Sequence, residues 1–204
     1  MMDRNNLYVC GNQFVLDCEY ADYEDFLDMI PDSPGLDYSS ETSAFNAGQY
    51  PMWRDPVASK AINHRQYTDD ELVQNSRWNT AFEKLIKWTQ KKLAANRIYT
   101  EIVPAVSWMM DYREHGWQTV HSHGRKCISQ VLYTEASVDQ TDDGKSFLHG
   151  AMFAFMNDGQ PPFYRAFPAK AGQCIIIKGD VFHGVYPVKL TPRRCLVVDY
   201  LILQ

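Results

Sequence analysis

From about residue 98 to its end, the chain reads as a succession of short strand-like segments, and this succession most constrains its fold. Turn-forming residues such as Gly159 and Pro161 separate the segments, and no helical pattern intervenes. Many short strands without helices between them predict a β-sandwich or jelly roll. In these folds two sheets pack face to face, which limits the number of unpaired edge strands. The predicted strands span residues 102–112, 117–123, 128–135, 150–156, 163–168, 174–178 and 194–203.

A single amphipathic helix is predicted before these strands, at about residues 68–95. Thr68 and Glu71 have the spacing of a capping box, and apolar residues such as Trp78 and Leu85 then recur at helical intervals. We therefore expect a support helix packed on a sheet. Residues 1–97 would form an N-terminal extension that carries this helix, and residues 98–204 would form the core of one compact domain.

The composition limits which binding partners and which cellular compartment we expect for this chain. A net charge of −5 gives no general electrostatic attraction to nucleic acid. Five cysteines, an odd number without a CxxC pair, and no secretory signal predict reduced thiols in the cytoplasm. No apolar stretch is long enough to cross a bilayer, so a membrane partner is not expected. The substrate could be a small molecule or a macromolecule, and the chain could form a homo-oligomer.

Three histidines carry the strongest chemical signal. His121 and His123 have the spacing that places two side chains on the same face of a strand, and His183 lies in a later β-rich segment. Neutral imidazole is the commonest metal ligand, and a three-residue ligand set with open positions is typical of non-heme Fe(II) oxygenases. The pattern therefore indicates a metal-dependent oxidative enzyme, with no catalytic group predicted beyond the metal centre.

The order of motifs adds a resemblance to a known family. A tryptophan-bearing strand at Trp108 is followed by Gly116, the His121-Ser-His123 pair and the strand that begins Ile128-Ser-Gln. A Gly-Asp turn, a Phe-His-Gly-Val-Tyr-Pro segment and two arginines that open the last strand come next. This series, over roughly residues 98–204, resembles the 2-oxoglutarate/Fe(II)-dependent oxygenases of phages and bacteria.

The resemblance implies a double-stranded β-helix, that is, a jelly roll or cupin-like barrel of mainly β structure with supporting helices. It also implies that His121, His123 and His183 hold Fe(II), which binds 2-oxoglutarate and O2. An arginine of the last strand would bind the far carboxylate of 2-oxoglutarate, since a guanidinium can pair both carboxylate oxygens. We prefer Arg194, because strand alternation groups it with two apolar residues, and Arg193 is the alternative. Tyr133 would offer its hydroxyl to the same carboxylate.

Two positions depart from the wider superfamily. Most members carry Asp or Glu where this chain has His123. Because neutral imidazoles carry no negative charge, a site of three histidines alone would leave the +2 charge of the metal ion uncompensated. A carboxylate from Asp180 or Asp143 could contribute instead. Gln130 stands where the family more often has glycine, which predicts added bulk beside the cosubstrate.

The implied function is that of a hydroxylase acting in the cytoplasm, the host's cytoplasm for a phage-encoded chain. Two alternatives use the same barrel. One is a cupin-like metalloenzyme with three histidines that does not use 2-oxoglutarate. The other is a non-enzymatic jelly-roll protein with a structural or interaction role in a phage.

Overall fold

A computed structural model describes residues 5–31, 36–37, 61–137, 149–159, 161–189 and 191–203. Within these ranges the chain forms the following elements, in order: β1 (Asn6–Cys10), β2 (Gln13–Glu19), a 3-10 turn (Tyr23–Phe26), β3 (Leu36–Asp37), β4 (Ala61–Thr68), α1 (Asp69–Leu72), α2 (Trp78–Ala95), β5 (Glu101–His121), β6 (Cys127–Ala136), β7 (Met152–Met156), β8 (Phe163–Phe167), β9 (Gln173–Lys178), β10 (Phe182–Val185) and β11 (Arg193–Leu203).

The predicted helix begins where its capping signal lies but is interrupted. The backbone N–H of Thr68 donates to the Glu71 carboxylate at 2.8 Å, which caps α1. A turn then separates α1 from α2, because the Asn75 side chain accepts a hydrogen bond from the backbone of Arg77 at 3.0 Å. Such local side-chain bonds compete with helical ones. The single helix predicted at 68–95 is therefore two helices.

The strands pair antiparallel into one rolled sheet. Along its hydrogen-bonded path the order is β1-β2-β9-β6-β11-β5-β10-β7-β8, and β4 pairs with β5 to the side. The two strands predicted at 102–112 and 117–123 are one strand, β5, which pairs with β11 along its first half and with β10 near its end. The sequence pattern missed β4 and β10, and the N-terminal strands join the same sheet through β2 and β9.

Alternate residues of the central strands face opposite sides of the sheet, and both sides are buried. One side packs against α2 through residues such as Leu132 and Leu196, which share an apolar cluster with Leu85 of the helix. The other side lines the interior of the barrel, with residues such as Tyr133 and Val197. The predicted support helix on a sheet is confirmed, and the barrel interior is a second, separate core.

Gln130 lies on the side of the sheet that faces the helix. Its side-chain oxygen accepts hydrogen bonds from the hydroxyls of Thr89, at 2.9 Å, and Tyr200. The prediction that Gln130 adds bulk beside a cosubstrate is wrong, because strand alternation turns this side chain away from the barrel interior.

The five cysteines are all buried and none forms a disulfide. Burial raises the pKa of the Cys127 thiol to about 12, so this thiol stays protonated and packs as a small apolar side chain. Within the ranges that the structure describes, no helix combines the length and apolar character needed to cross a membrane.

Candidate metal centre

The three predicted histidines meet at one mouth of the barrel. His121 ends β5 and lies directly opposite His183 of β10 in the antiparallel register. His123 lies beyond the end of β5, where its backbone N–H donates to the carbonyl of Gly179 at 2.6 Å. One ring nitrogen from each histidine lies within 4.8 Å of the others. The convergence agrees with the prediction, but the contact with Gly179, rather than strand alternation, positions His123.

A hydrogen bond at Nδ1 orients each imidazole. Nδ1 of His121 lies 2.9 Å from the Thr119 carbonyl, and Nδ1 of His183 lies 3.1 Å from the Val181 carbonyl. Nδ1 of His123 lies 2.7 Å from the carboxylate of Asp199. Carbonyl and carboxylate oxygens only accept hydrogen bonds, so each Nδ1 carries a proton, and in the neutral ring Nε2 then carries the lone pair. All three rings therefore present the tautomer that binds a metal through Nε2.

The Nε2 atoms of two of the rings lie close enough to share a cation. Nε2 of His123 lies 3.3 Å from Nε2 of His183. When both rings are neutral with Nδ1 protonated, two lone pairs face each other, and this contact is repulsive unless a positive charge lies between them. Two nitrogens bound to one ion at about 2.0–2.1 Å would lie roughly 2.9–3.4 Å apart, for angles between octahedral and tetrahedral. The separation of the two nitrogens thus fits one shared divalent metal ion.

The imidazoles of His121 and His183 are held neutral. Burial, followed by the nearby His123, lowers the pKa of His121 to about 4. Burial also lowers the pKa of His183 well below its ordinary value, and His121 and His123 add to this shift. Neutral imidazole is the form that coordinates metals, so protons do not compete for these two ligands at neutral pH.

The two candidate arginines at the start of β11 point to opposite sides of the sheet. Arg194 lies on the outer side, where its guanidinium pairs with Asp111 at 3.1 Å and with Glu135. Arg193 lies inside the barrel and is 2% exposed. The structure thus places Arg193, the alternative, and not the preferred Arg194, on the side that faces the barrel interior. Alternation did group Arg194 with Leu196 and Val198, but that face packs towards α2 and not towards the barrel interior.

The surroundings of Arg193 contain no carboxylate among the described residues. Its Nε donates to the Gly150 carbonyl at 2.7 Å, and one terminal nitrogen donates to the Tyr133 hydroxyl at 3.2 Å. The guanidinium also lies over the rings of Tyr112, at 4.4 Å, and Tyr133, at 5.0 Å. Burial raises the pKa of Tyr133 to about 12, so this phenol is neutral. The other terminal nitrogen, Nη1, has no hydrogen-bond partner within the described part of the chain.

A buried guanidinium without an anionic partner is costly, because burial removes the water that stabilises its charge. An anionic ligand inside the barrel would offset this cost and would satisfy the remaining nitrogen. The residues present therefore fit a carboxylate-bearing ligand. Tyr133, predicted from the resemblance, lies where its hydroxyl can contact the same ligand.

One glutamine connects the arginine region to the histidines. The Gln118 side-chain nitrogen lies 3.4 Å from Nε2 of His121, and its oxygen accepts a hydrogen bond from the Tyr112 hydroxyl at 3.3 Å. Tyr112 in turn lies beneath the Arg193 guanidinium. The histidine cluster and the buried arginine thus belong to one continuous polar region along the barrel interior.

Sequence reasoning missed Gln118 and Asp199. Asp199 had a signal, because it interrupts the apolar run of β11 and shares its alternation with Arg193, and buried acidic residues are rare unless paired. The sequence also offered two other carboxylates as possible ligands. Asp180 is not part of the histidine cluster, and Asp143 lies outside the described residues.

Comparison with known proteins supports the fold. No protein-family model and no curated protein sequence matches this chain. Among solved structures, an oxidoreductase of the 2-oxoglutarate/Fe(II) oxygenase family from Burkholderia pseudomallei matches with 18% identity and a TM-score of 0.51, covering 95% of this chain and 93% of that one.

Two other solved structures match with lower scores. A prolyl 4-hydroxylase from Pseudomonas putida shares 16% identity, covers 71% of this chain and 78% of its own, and has a TM-score of 0.48. HygX from Streptomyces hygroscopicus, solved with nickel and 2-oxoglutarate, shares 12% identity, covers 83% and 81% of the two chains, and has a TM-score of 0.48. At these identities the likeness concerns the fold, and the match to the Burkholderia protein confirms the predicted jelly-roll barrel with supporting helices.

Proposed function

We propose that this protein is an Fe(II)- and 2-oxoglutarate-dependent oxygenase that hydroxylates its substrate. One observation carries the proposal: a buried guanidinium without an anionic partner among the described residues lies in the same barrel as three converging imidazole lone pairs. A metal site alone would not need the arginine, and an anion site alone would not need the histidines. An acid that binds a metal at one end and carries a carboxylate at the other uses both.

The chain's own residues have distinct parts in this proposal. His121, His123 and His183 would hold Fe(II) through their Nε2 atoms. Arg193 and Tyr133 would bind the far carboxylate of 2-oxoglutarate, the guanidinium through paired hydrogen bonds and the phenol through one more. When bound, the iron would supply the oxidising chemistry: one atom of O2 would become a hydroxyl on a substrate C–H bond, and the other would enter the keto acid as it loses CO2 and becomes succinate.

The surrounding protein supplies orientation and excludes water. The Nδ1 hydrogen bonds keep the three rings in their metal-binding orientation. The apolar cluster inside the barrel, which includes Val131 and Val197, would keep bulk water from the reacting groups. No side chain has to act as a general acid or base in this reaction class, which agrees with the absence of such a predicted group.

The family resemblance supports a bacterial or phage origin and action in the cytoplasm as part of the same proposal. It also supports residues 98–204 as the catalytic core of one domain, to whose sheet the N-terminal extension of residues 1–97 adds strands.

An anaerobic titration tests the function directly. Metal-free protein receives Fe(II) and then 2-oxoglutarate while visible absorption is recorded. We expect a weak charge-transfer band that requires both additions and is absent in His183→Gln. Iron binding without this band would instead indicate the three-histidine metalloenzyme that does not use 2-oxoglutarate. Failure to bind any divalent metal would refute both enzymes and favour the non-enzymatic jelly roll.

A further inference from the structure

We propose that Asp199 is a positioning residue that supplies, through His123, the negative charge that an Asp or Glu ligand supplies directly in related sites. The importance of Asp199 for catalysis rests on the proposed function. Its effect on metal binding does not, and can be measured separately. The carboxylate of Asp199 lies 2.7 Å from Nδ1 of His123, and the two side chains are only 3% and 11% exposed.

The three imidazoles differ in the partner that each one has. His121 and His183 donate to backbone carbonyls, which are neutral dipoles. His123 donates to a carboxylate. A hydrogen bond to an anion makes the imidazole a more basic ligand, and the effect of the charge extends to the metal on the opposite nitrogen. His123 is therefore the ligand through which the site receives negative charge.

The backbone holds this carboxylate in place. Asp199 lies in β11 between two neighbouring strands, in register with Val106 of β5 and Ser129 of β6. Strand alternation places it on the same side of the sheet as Arg193, facing the barrel interior. The pairing on both sides prevents Asp199 from moving away from His123 without breaking the sheet.

The surroundings of Asp199 indicate that its charge serves a cation. Its second carboxylate oxygen, Oδ1, is buried and has no hydrogen-bond partner among the described residues. A buried carboxylate with one hydrogen bond destabilises the fold unless a positive charge lies nearby. Among the described residues no lysine or arginine pairs with Asp199, and its partner is the imidazole of His123. A divalent metal on the three imidazoles would provide the compensating charge.

This arrangement explains how a site of three histidines could bind Fe(II) in a barrel whose relatives use a carboxylate ligand. With Asp199 counted, the metal and its immediate surroundings carry one net positive charge, as they do when the ligand itself is an aspartate. The carboxylate thus lies behind the imidazole of His123 and does not bind the metal itself.

The test measures Co(II) binding to metal-free protein by calorimetry and by visible absorption, in three forms: wild type, Asp199→Asn and Asp111→Asn. Asparagine keeps a hydrogen-bond acceptor for Nδ1 but removes the charge. We expect Asp199→Asn to bind Co(II) about 10–100-fold more weakly, as is typical when an outer partner of a metal ligand is lost. Asp111→Asn, which removes a carboxylate of the outer face paired with Arg194, should bind within threefold of wild type.

A second readout separates this role from a merely structural one. Without metal, Asp199→Asn should unfold at the same or a higher urea concentration than wild type, since the variant no longer buries a poorly compensated charge. A structural role for Asp199 would lower the stability and the affinity together. Wild-type affinity in Asp199→Asn, or a loss of affinity that follows a loss of stability, would overturn the proposal.

A charge-relocation variant keeps the proposal testable if Asp199→Asn folds poorly. In the double variant His123→Asp/Asp199→Asn the carboxylate becomes the ligand itself. We expect it to bind Co(II) at least tenfold more tightly than His123→Asn/Asp199→Asn, which has no carboxylate in either place, and equal affinities would refute the idea. If wild type binds Co(II) in this manner but shows no 2-oxoglutarate-dependent band with Fe(II), the proposed function fails while the role of Asp199 stands.

Discussion

Replacing Arg193 with methionine should weaken 2-oxoglutarate binding far more than the same change at Arg194. Arg193 is buried, has an unsatisfied terminal nitrogen and faces the barrel interior, whereas Arg194 is paired with two carboxylates on the outer face. Each hydrogen bond to a charged group contributes about 1.5–3 kcal/mol. Loss of a bidentate pair therefore costs about 3–6 kcal/mol, which corresponds to an affinity roughly 10²–10⁴-fold lower at about 1.4 kcal/mol per factor of ten.

The assay is the anaerobic Fe(II) titration, in which the charge-transfer band reports the dissociation constant of the keto acid. Iron binding itself should not change in Arg193→Met, because Arg193 is not a metal ligand, and this serves as the internal control for folding. Pyruvate, which has a keto acid group but no far carboxylate, should bind wild type and Arg193→Met within threefold of each other. Wild-type affinity for 2-oxoglutarate in Arg193→Met, or a larger loss in Arg194→Met, would refute this assignment of the two arginines.

Three further outcomes follow from the described geometry. Metal-free protein should lose about 2 kcal/mol of stability between pH 7 and pH 5 from His121 alone, because this residue takes up a proton near pH 6.5 when unfolded but only near pH 4 when folded. Urea midpoints at the two pH values measure this loss, and an equal midpoint contradicts it. Co(II) at one hundred times its dissociation constant should raise the free energy of unfolding by about 2.7 kcal/mol, an effect that His183→Gln should remove. Gln130→Leu should cost about 1–3 kcal/mol in urea unfolding, because the buried Tyr200 hydroxyl loses its acceptor. The same variant should leave Co(II) affinity unchanged, since Gln130 faces α2, and weakened metal binding would show that this placement is wrong.

Periodicity predicted which residues of β11 lie together but not which group lies inside the barrel. It grouped Arg194 with Leu196 and Val198, and these residues do share a face. A strand with one solvated face shows a polar and an apolar side, which identifies the interior. In β11 both faces are buried, one under α2 and one in the barrel, so the sequence alternates between two apolar sets. The sequence could not show which arginine lies inside the barrel, because that depends on which face of β11 packs against α2.

The histidine cluster was predictable as a set, although the reason given for His123 was incomplete. Alternation along a strand applies to His121, but β5 ends there and a backbone contact with Gly179 positions His123. The strand β10 was missed because it is only four residues long and contains Gly184, which weakens a strand pattern. His183 was predicted as a ligand from its position in the Phe-His-Gly-Val-Tyr-Pro segment, and the strand that carries it was not predicted.

The length of β11 has a consequence for which acids could fit between the arginine and the histidines. Arg193 and Asp199 lie six residues apart on this strand, which at about 3.3 Å per residue separates their Cα atoms by roughly 20 Å. Pairing with β5 and β6 on either side keeps that spacing constant. The backbone thus acts as a gauge of ligand length: an acid one carbon too short leaves a gap at the guanidinium, and the sheet cannot contract to close it. Discrimination between dicarboxylic acids of different length would then depend on the strands of the barrel together with the turn that positions His123.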